Sequence, residues 1–240
     1  MVLTMSINYR GLTIPCIPLG REITSDNLFD PNEQVIFDFY EANADRYCRA
    51  VDIGANIGVH SILMARQGWE VRAYEPDPAH FNALSRNIIL HGAPVNAWRA
   101  AVSDHDGLVS FVLVLDNLTG NHILGAKDSY GPTDMITVQT VCCIPLFDWA
   151  DFVKMDCEGY EAHIILALPA RIWDSTDVML EVGSSPNATA IYTHLRGVVP
   201  MWAQKIGWKR VVEFRDMPTN HREGSLFIGK QPPFRDTEER

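Results

Sequence analysis

The amino-acid sequence predicts an α/β fold with a mainly parallel sheet, and three observations support this prediction. Short apolar runs alternate with longer amphipathic ones between residues 49 and 101, as consecutive βαβ units require. The stretch 51–58 (VDIGANIG) passes from an apolar run through an acid and two glycines into a periodic apolar run, which is the order of a strand, a tight turn and a helix. Hydrophobic residues make up 47% of the 240 positions, so the chain can bury the core of one such domain.

The first 45 residues are predicted to form an N-terminal arm and a helix. Residues 6–17 hold short β-prone runs, which indicate a small hairpin. Asp30 is expected to cap a helix that begins at Pro31, with Glu33 as the reciprocal partner of a capping box. Apolar pairs four residues apart give this helix one buried face, and we expect it to lie over the ligand-binding end of the sheet.

The central domain is expected to span residues 46–230. Its predicted core strands are 49–53, 70–74, 95–101, 151–156 and 177–182. The predicted helices between them are 57–67, 78–91, with Asp77 as its cap, and 159–168. Strands and helices of these lengths in alternation predict right-handed crossovers and therefore a parallel arrangement.

The pattern changes between residues 107 and 143 and again near the C-terminus. Two β-prone runs, 108–115 and 135–141, flank a polar stretch, which indicates a β insertion carrying a loop over the site. Helical segments are expected at 188–196 and 201–206, with Pro200 between them. Runs 209–214 and 225–229 are too close for a crossover helix, so we expect two antiparallel strands. Residues 231–240 are predicted to be a flexible tail.

Composition limits the functional class. The formal net charge is −10, whereas a general nucleic-acid binder carries a basic face, so that partner is disfavoured. The five cysteines are odd in number and lack C-x-x-C spacing, which argues against a disulfide framework or a zinc site and suits a reducing compartment. Neither a signal peptide nor a bilayer-spanning apolar run is found, so we expect a cytoplasmic protein without a membrane partner.

Two acids follow successive predicted strands. Asp52 ends the first core strand and Glu75 ends the second, 75 − 52 = 23 residues later. In a Rossmann-like sheet an acid at the second place accepts hydrogen bonds from ribose hydroxyls. Gly54 and Gly58 flank Asn56 where a dinucleotide site would have a middle glycine, and the third glycine is missing. A ligand without phosphate, with one acid near an ammonium group and another near a ribose, describes S-adenosylmethionine.

A second charged group ends the fourth predicted strand. Lys154, Asp156 and Glu158 follow a buried apolar run, where uncompensated charge is costly. Glu181 ends the neighbouring strand in the same way and would face the same pocket as Asp156. The alternative is that these acids only interact favourably with the dipole at a helix N-terminus, and it applies mainly to Glu158 and Glu161.

These segments together resemble the FkbM family of S-adenosylmethionine-dependent methyltransferases. The resemblance covers roughly residues 49–182 and rests on the segments 51–58, 75–76, 101–103 and 153–161 and on Asn87. It implies a Rossmann-like, seven-stranded class I methyltransferase sheet with helices on both faces and an antiparallel last strand. It also implies S-adenosylmethionine as cofactor and a hydroxyl on a sugar, glycan or secondary metabolite as methyl acceptor. The helix after Asp30 would then cover the cofactor site.

The resemblance and the spacing together define the expected site residues. The predicted cofactor-binding residues are Asp52, Gly54, Asn56, Gly58, Glu75 and Asp104, the last at the place where methyltransferases contact adenine. The alternative is that Asp104 is only a turn residue. Asp156 is the first choice as general base or hydroxyl-positioning group, with Lys154 and Glu158 close by. Lys154 would either hold that carboxylate or lower the pKa of the hydroxyl.

Two other functions compete with this interpretation. A nucleotide-dependent oxidoreductase would use a similar sheet, but the absence of G-x-G-x-x-G counts against it. The second alternative is a catalytically degenerate cofactor-binding module that regulates a partner. The joint presence of Asp52, Glu75 and Asp156 argues against it. No metal is expected to be required, because no further acid or Asn beside Asp156 and Glu181 completes a hexacoordinate site.

Overall fold

The computed structural model describes residues 6–15, 19, 24, 28–128 and 131–234. In chain order its elements are β1 (Ser6–Tyr9), β2 (Leu12–Pro15), α1 (Pro31–Ala42), β3 (Arg49–Ile53), α2 (Val59–Arg66), β4 (Glu70–Tyr74), α3 (Pro78–His91), β5 (Val95–Trp98), β6 (Ala101–Ser103), β7 (Gly107–Val114), β8 (His122–Ile123), β9 (Thr133–Cys142), α4 (Cys143–Trp149), β10 (Phe152–Met155), α5 (Glu161–Ala167), β11 (Asp177–Glu181), α6 (Ser185–Leu195), β12 (Met201–Ala203), β13 (Lys209–Arg210) and β14 (Ser225–Ile228).

The fold is α/β with a mixed main sheet. Its strand order within the described residues is β13-β12-β14-β11-β10-β3-β4-β5. The neighbouring pairs from β11 to β5 are parallel, and β14 runs antiparallel to β11, as predicted for the last strand. The described sheet has eight strands rather than the seven expected, because β12 is an additional strand.

The prediction of a helix over residues 201–206 is wrong. Met201–Ala203 forms β12, and only Gln204–Ile206 forms a short 3₁₀ turn. A short apolar run suits a helix or a strand equally, and burial decides between them. Met201 packs into one core cluster and Trp202 into the other, so the strand alternation buries both side chains.

Other boundaries also differ from the predictions. The strand expected over 209–214 is limited to β13. It does not pair with β14; instead β13 and β14 both pair with β12, which lies between them. The expected third core strand divides after Trp98, because β6 leaves the main sheet and pairs with β9. Helix α4 was not predicted. It begins directly at the end of β9, without a connecting loop that would mark its start.

The β insertion forms a separate small sheet. Its strand order is β6-β9-β7-β8, and β7 and β9 pair antiparallel from Gly107↔Thr140 to Val114↔Thr133. The polar segment between β7 and β9 is the loop predicted to lie over the site. At the N-terminus, β1 and β2 form the expected antiparallel hairpin, while residues 16 and 17 of that prediction lie outside the described part.

Helices cover both faces of the main sheet. Alternate side chains along each strand pack into two different core clusters. Val153 and Val178 pack in the cluster that includes residues of α5 and α6. Phe152 and Met179 pack in the cluster that includes residues of α1 and α2. Because successive strand residues point to opposite faces, these parallel strands are buried on both sides.

Residues 231–234, the first part of the predicted flexible tail, contact the rest of the domain. Asn43 Nδ2 donates to the Pro233 carbonyl at 2.9 Å, and the Arg46 guanidinium donates to the Pro232 carbonyl at 2.9 Å. The ring of Phe234 packs against Phe39 with 6.0 Å between centroids. Residues 235–240 lie outside the described part of the chain. Across the described residues, no helix has both the length and the apolar composition needed to cross a membrane.

Candidate active site

A cleft opens at the carboxyl ends of the parallel strands, where open α/β sheets bind their ligands. It encloses a cavity of about 260 Å³. The ends of β3, β4, β10 and β11 form its wall together with the start of α1, the first turn of α3 and the insertion. The lining residues include Asp30, Glu33, Gly54, Asn56, Glu75, His80, Val102, Leu118, Thr119, Asn121, Asp156, Glu158 and Glu181.

Glu75 joins the two turns that border this cleft. Its Oε2 accepts a hydrogen bond from the Asn56 N–H at 2.8 Å, and its Oε1 accepts one from the Asp77 N–H at 2.8 Å. Burial raises the pKa of Glu75 to about 8, although the two N–H donors oppose this shift. A carboxylate has about four acceptor sites, so two donors leave Glu75 able to accept from a ribose hydroxyl.

The glycine turn is shaped by close contacts. A Cβ on Gly54 would lie 1.8 Å from the Asp156 carbonyl oxygen, and one on Gly58 would lie 2.5 Å from a methyl carbon of Leu84. Both glycines have positive φ, and so does Asn56, at 50°. The Asn56 side-chain oxygen is buried, with no hydrogen-bond partner within the described ranges, and this residue lines the cleft.

Three of the predicted cofactor residues do not line the cavity. Asp52 is fully buried, and its Oδ2 accepts a hydrogen bond from the Ser61 hydroxyl at 2.5 Å. Gly58 is the N-cap of α2 and lies against Leu84. Both support the turn from behind rather than forming its ligand-facing surface.

Asp104, predicted to contact adenine, is not among the residues that line the cavity. Its Oδ1 is 2.6 Å from His105 Nδ1 and 3.2 Å from His163 Nε2. These partners, His105 first, hold the pKa of Asp104 below its usual range. Ala101 and Val102 of the same segment do line the cleft.

Of the predicted catalytic residues, Asp156 and Glu158 line the cleft, whereas Lys154 is buried behind its wall. Asp156 lines the cleft, and its Oδ2 is 3.6 Å from the Nζ of Lys154. Lys154 is only 7% exposed and lies behind the wall. Burial alone would lower the pKa of Lys154, but the charges of Asp156, then Asp52, raise it above its usual value.

Two further carboxyl groups stand beside Asp156. Glu158 lines the cleft, has φ of 56°, and forms an ion pair with Lys127 of the insertion loop. Burial, reinforced by the charge of Asp156, raises the pKa of Glu158 to about 7 and that of Glu181 to about 10. The carboxyl groups share a wall and oppose one another's ionisation.

Glu161 supports the turn that carries Asp156 and Glu158. It is 1% exposed, and its carboxylate accepts hydrogen bonds from the Cys157 N–H at 2.9 Å and from the Gly159 N–H at 3.0 Å. The Asn187 side chain donates to it at 2.7 Å. These contacts give the acid at this helix start a structural role, and Glu161 also lines the second cavity described next.

A second cavity, of about 510 Å³, adjoins the first. The residues that line both cavities are Asp30, Glu33, Thr119, Asp156, Glu158 and Glu181. The second cavity extends towards Lys127 in the insertion loop and His221 near β14. The acids at the ends of β10 and β11 therefore lie at the junction of the two spaces.

Several cleft residues were not predicted as site residues. Glu33 was expected to complete a capping box, but its Oε2 is 2.9 Å from His60 Nε2 and it lines both cavities. Asn121 belongs to the insertion, and no local sequence pattern reveals where the insertion lies relative to the cleft. For His80, the only sequence signal is its place in the first helical turn after Glu75.

A family model described as the Methyltransferase FkbM domain matches residues 52–197. The chain belongs to this family. The matched range contains both groups of acids, from Asp52 and Glu75 to Asp156 and Glu181. It confirms the resemblance found in the sequence.

Curated relatives are also methyltransferases by name. The chain is 25% identical over 136 residues to a hexuronic acid methyltransferase, AglP, of Haloferax volcanii, with 55% of this chain and 54% of that protein covered. It is 26% identical over 161 residues to Methyltransferase 1 of Beauveria bassiana, with 56% and 64% covered. The chain thus spans between half and two thirds of these relatives' length.

Solved structures similar to this one include a SAM-dependent methyltransferase from Agrobacterium tumefaciens, at 11% identity and a TM-score of 0.49, covering 95% of this chain and 70% of that one. A 16S rRNA methyltransferase of T. thermophilus, in complex with AdoMet and guanosine, gives 13% identity and a TM-score of 0.49, covering 95% and 50%.

The residues of the first cavity fit S-adenosylmethionine. Glu75 offers free acceptor sites for a ribose, and the buried oxygen of Asn56 has no protein partner in the described chain. Among the described residues, no group of three His, Cys, Asp or Glu side chains is arranged to hold a metal ion.

Proposed function

We propose that this chain is an S-adenosylmethionine-dependent methyltransferase that methylates a hydroxyl group on a sugar, glycan or secondary metabolite. The observation that carries the proposal is the shared wall of the two cavities. Asp156, Glu158 and Glu181 border both the space with the cofactor-type residues and the adjoining space. A methyl donor in the first and an acceptor in the second would meet at these carboxyl groups.

The cofactor half of the proposal assigns roles to three residues. When bound, S-adenosylmethionine supplies a methyl group already activated on a sulfonium. Glu75 accepts hydrogen bonds from the ribose, while Gly54 allows the ligand to approach the backbone at the β3 end. Asn56 offers its buried side-chain oxygen to a donor of the ligand. The protein therefore contributes orientation and exclusion of water.

The acceptor half assigns Asp156 as general base or hydroxyl-positioning group. As the acceptor oxygen forms its bond to the methyl carbon, the carbon–sulfur bond breaks and the hydroxyl proton passes to a carboxylate. Lys154, 3.6 Å from Asp156, fixes the orientation of that carboxylate from behind. Glu158 is held by Lys127 at the far side of the junction. A hydroxyl is a weak nucleophile, so removal of its proton in the transition state accelerates transfer.

The acidic wall supports a hydroxyl-rich acceptor. Carboxylates accept hydrogen bonds, and each hydroxyl of a sugar or polyol donates one. The name of the Haloferax relative, a hexuronic acid methyltransferase, supports a sugar-containing acceptor. A nucleic acid is a poor candidate, since its phosphates would face Asp30, Glu33 and Glu181.

The test is a mass-spectrometric screen for methyl transfer onto glycosides and hydroxylated metabolites. We expect a product that is heavier by one methylene group and that forms together with S-adenosylhomocysteine. Calorimetry with S-adenosylmethionine and NAD runs in parallel. Preference for NAD would favour the oxidoreductase alternative, and tight cofactor binding without transfer to any acceptor would favour the regulatory module.

A further inference from the structure

His80 presents an unsatisfied polar atom in the wall of the cofactor cavity. The residue is 4% exposed, lines the cavity, and its Nε2 is buried without a hydrogen-bond partner in the described part of the chain. Buried polar atoms in folded proteins are almost always hydrogen-bonded, so this exception calls for a missing partner. The cavity is the space from which a ligand would provide one.

The position of His80 relative to Glu75 is fixed by a chain of hydrogen bonds. Glu75 Oε1 accepts from the Asp77 N–H at 2.8 Å, and Asp77 caps α3 by accepting from the His80 N–H at 2.9 Å. Asn121 of the insertion donates to the other oxygen of Asp77 at 2.8 Å. His80 therefore belongs to a braced helix turn rather than to a loose loop.

The protonation state of His80 sets what it can offer. Burial lowers the pKa of His80, and the nearby charge of Asp77 only partly opposes this. The imidazole is therefore neutral near pH 7, with one N–H donor and one acceptor nitrogen. A neutral ring can donate from Nε2 without placing a second positive charge beside a cationic cofactor.

We propose that His80 is a ribose-binding residue that donates a hydrogen bond from Nε2 to a ribose hydroxyl held by Glu75. A hydroxyl that donates its proton to a carboxylate keeps free lone pairs on its oxygen. Above pH 8, where Glu75 is ionised, it cannot satisfy them, because an ionised carboxylate only accepts. A neutral imidazole N–H in the same wall supplies the missing donor. This inference rests on the proposed cofactor and adds a binding residue to it.

The inference is tested by calorimetric titration of S-adenosylhomocysteine and of its 2′-deoxy and 3′-deoxy analogues. His80→Ala should weaken binding of S-adenosylhomocysteine roughly 3- to 10-fold, as expected for one neutral hydrogen bond. For the analogue that lacks the contacted hydroxyl, wild type and variant should bind alike. His163→Ala is the matched control, because His163 contacts Asp104 outside the cavity and should leave affinity unchanged.

A measurement on the wild type keeps the test independent of the variant's folding. The imidazole nitrogen signals of His80 in a ¹⁵N NMR spectrum should shift on addition of S-adenosylhomocysteine and should shift less with one deoxy analogue. Equal affinities of wild type and His80→Ala for all three ligands, or identical NMR shifts with all three, would overturn the role of His80. Failure of the wild type to bind S-adenosylhomocysteine would instead overturn the proposed cofactor.

Discussion

Asp156 and Lys154 form an ion pair that crosses the wall of the active-site cleft, with 3.6 Å between Oδ2 and Nζ. They are two residues apart at the end of β10, so their side chains leave the strand on the same side. Asp156 is part of both cavity walls, whereas Lys154 is buried behind them. The pair therefore gives the junction of the two cavities a carboxylate of fixed orientation.

The first prediction concerns Asp156→Asn. The change is nearly isosteric, so fold and cofactor affinity should be kept, while turnover falls roughly 10²–10⁴-fold if Asp156 is the base. Steady-state kinetics with an identified acceptor measures this, and calorimetry checks the cofactor. Asp148→Asn, at an exposed position on α4, is the control and should leave turnover intact. Undiminished turnover in Asp156→Asn would move the role to Glu158 or Glu181.

The second prediction concerns Glu75 and pH. With its pKa raised to about 8 by burial, Glu75 carries a proton at pH 6 and loses it above pH 8. Since ribose hydroxyls donate to the ionised form, cofactor affinity should rise between pH 6 and pH 8 and then level off. Glu75→Gln should flatten this rise, and Glu75→Ala should cost on the order of 1.5–3 kcal/mol of binding.

Titration calorimetry at several pH values tests this prediction. Glu70→Gln, at an exposed position on the same strand, is the matched control and should keep the wild-type profile. A Glu75→Gln variant whose affinity still rises with pH would assign the effect to another carboxyl group of the cleft.

The third prediction concerns stability and Glu161. Burial raises the pKa of Glu161 from 4.5 to about 7 in the folded chain, so the folded state binds a proton that the unfolded state has lost. This contribution is fully present below pH 4.5 and disappears as pH rises to about 7. One pKa unit corresponds to about 1.4 kcal/mol, so the loss is on the order of 3 kcal/mol.

Urea unfolding midpoints between pH 4.5 and pH 7.5 measure this effect. Glu161→Gln should reduce the slope in that window, while Glu41→Gln on the exposed face of α1 should not. An unchanged slope in Glu161→Gln would mean that the folded protein holds this side chain ionised through its backbone donors.

The fourth prediction concerns Gly54→Ala. The added Cβ would meet the Asp156 carbonyl oxygen at 1.8 Å, so β3 and β10 must separate at the cleft. Cofactor binding should be lost, as measured by calorimetry on folded protein. Gly68→Ala is the control, because Gly68 also has positive φ but a Cβ there meets nothing within 4 Å. It should cost about 1–2 kcal/mol of stability and leave binding intact. Equal binding by both variants would contradict the close contact.

The fifth prediction concerns metals. Incubation with a chelator followed by desalting should leave methyl transfer unchanged, because the proposed mechanism takes its base from the protein's own carboxyl groups. Activity that disappears on chelation and returns with Mg²⁺ would identify Asp156 and Glu181 as metal ligands instead.

The sequence alone was sufficient for the elements and residues whose geometry is local. The turn from Asp52 to Gly58, the caps Asp30 and Asp77, and the acids at the ends of β4, β10 and β11 were all recognisable. A strand end, a positive φ and an N-cap each depend on a few neighbouring residues, and the carboxyl ends of parallel strands meet at one edge. That is why Glu75 and Asp156 could be assigned to one cleft.

The tertiary structure decided what depends on packing between distant segments. β12 is a strand because its two faces meet two different clusters, which a three-residue apolar run cannot reveal. Asp104 follows β6 directly, and its carboxylate lies against His105 and His163 instead of lining the cleft. Glu33 and His80 enter the wall because α1 and the first turn of α3 converge on the strand ends. Side chains brought together across such distances leave no periodic signal in the sequence, since their spacing is set by the fold and not by the chain.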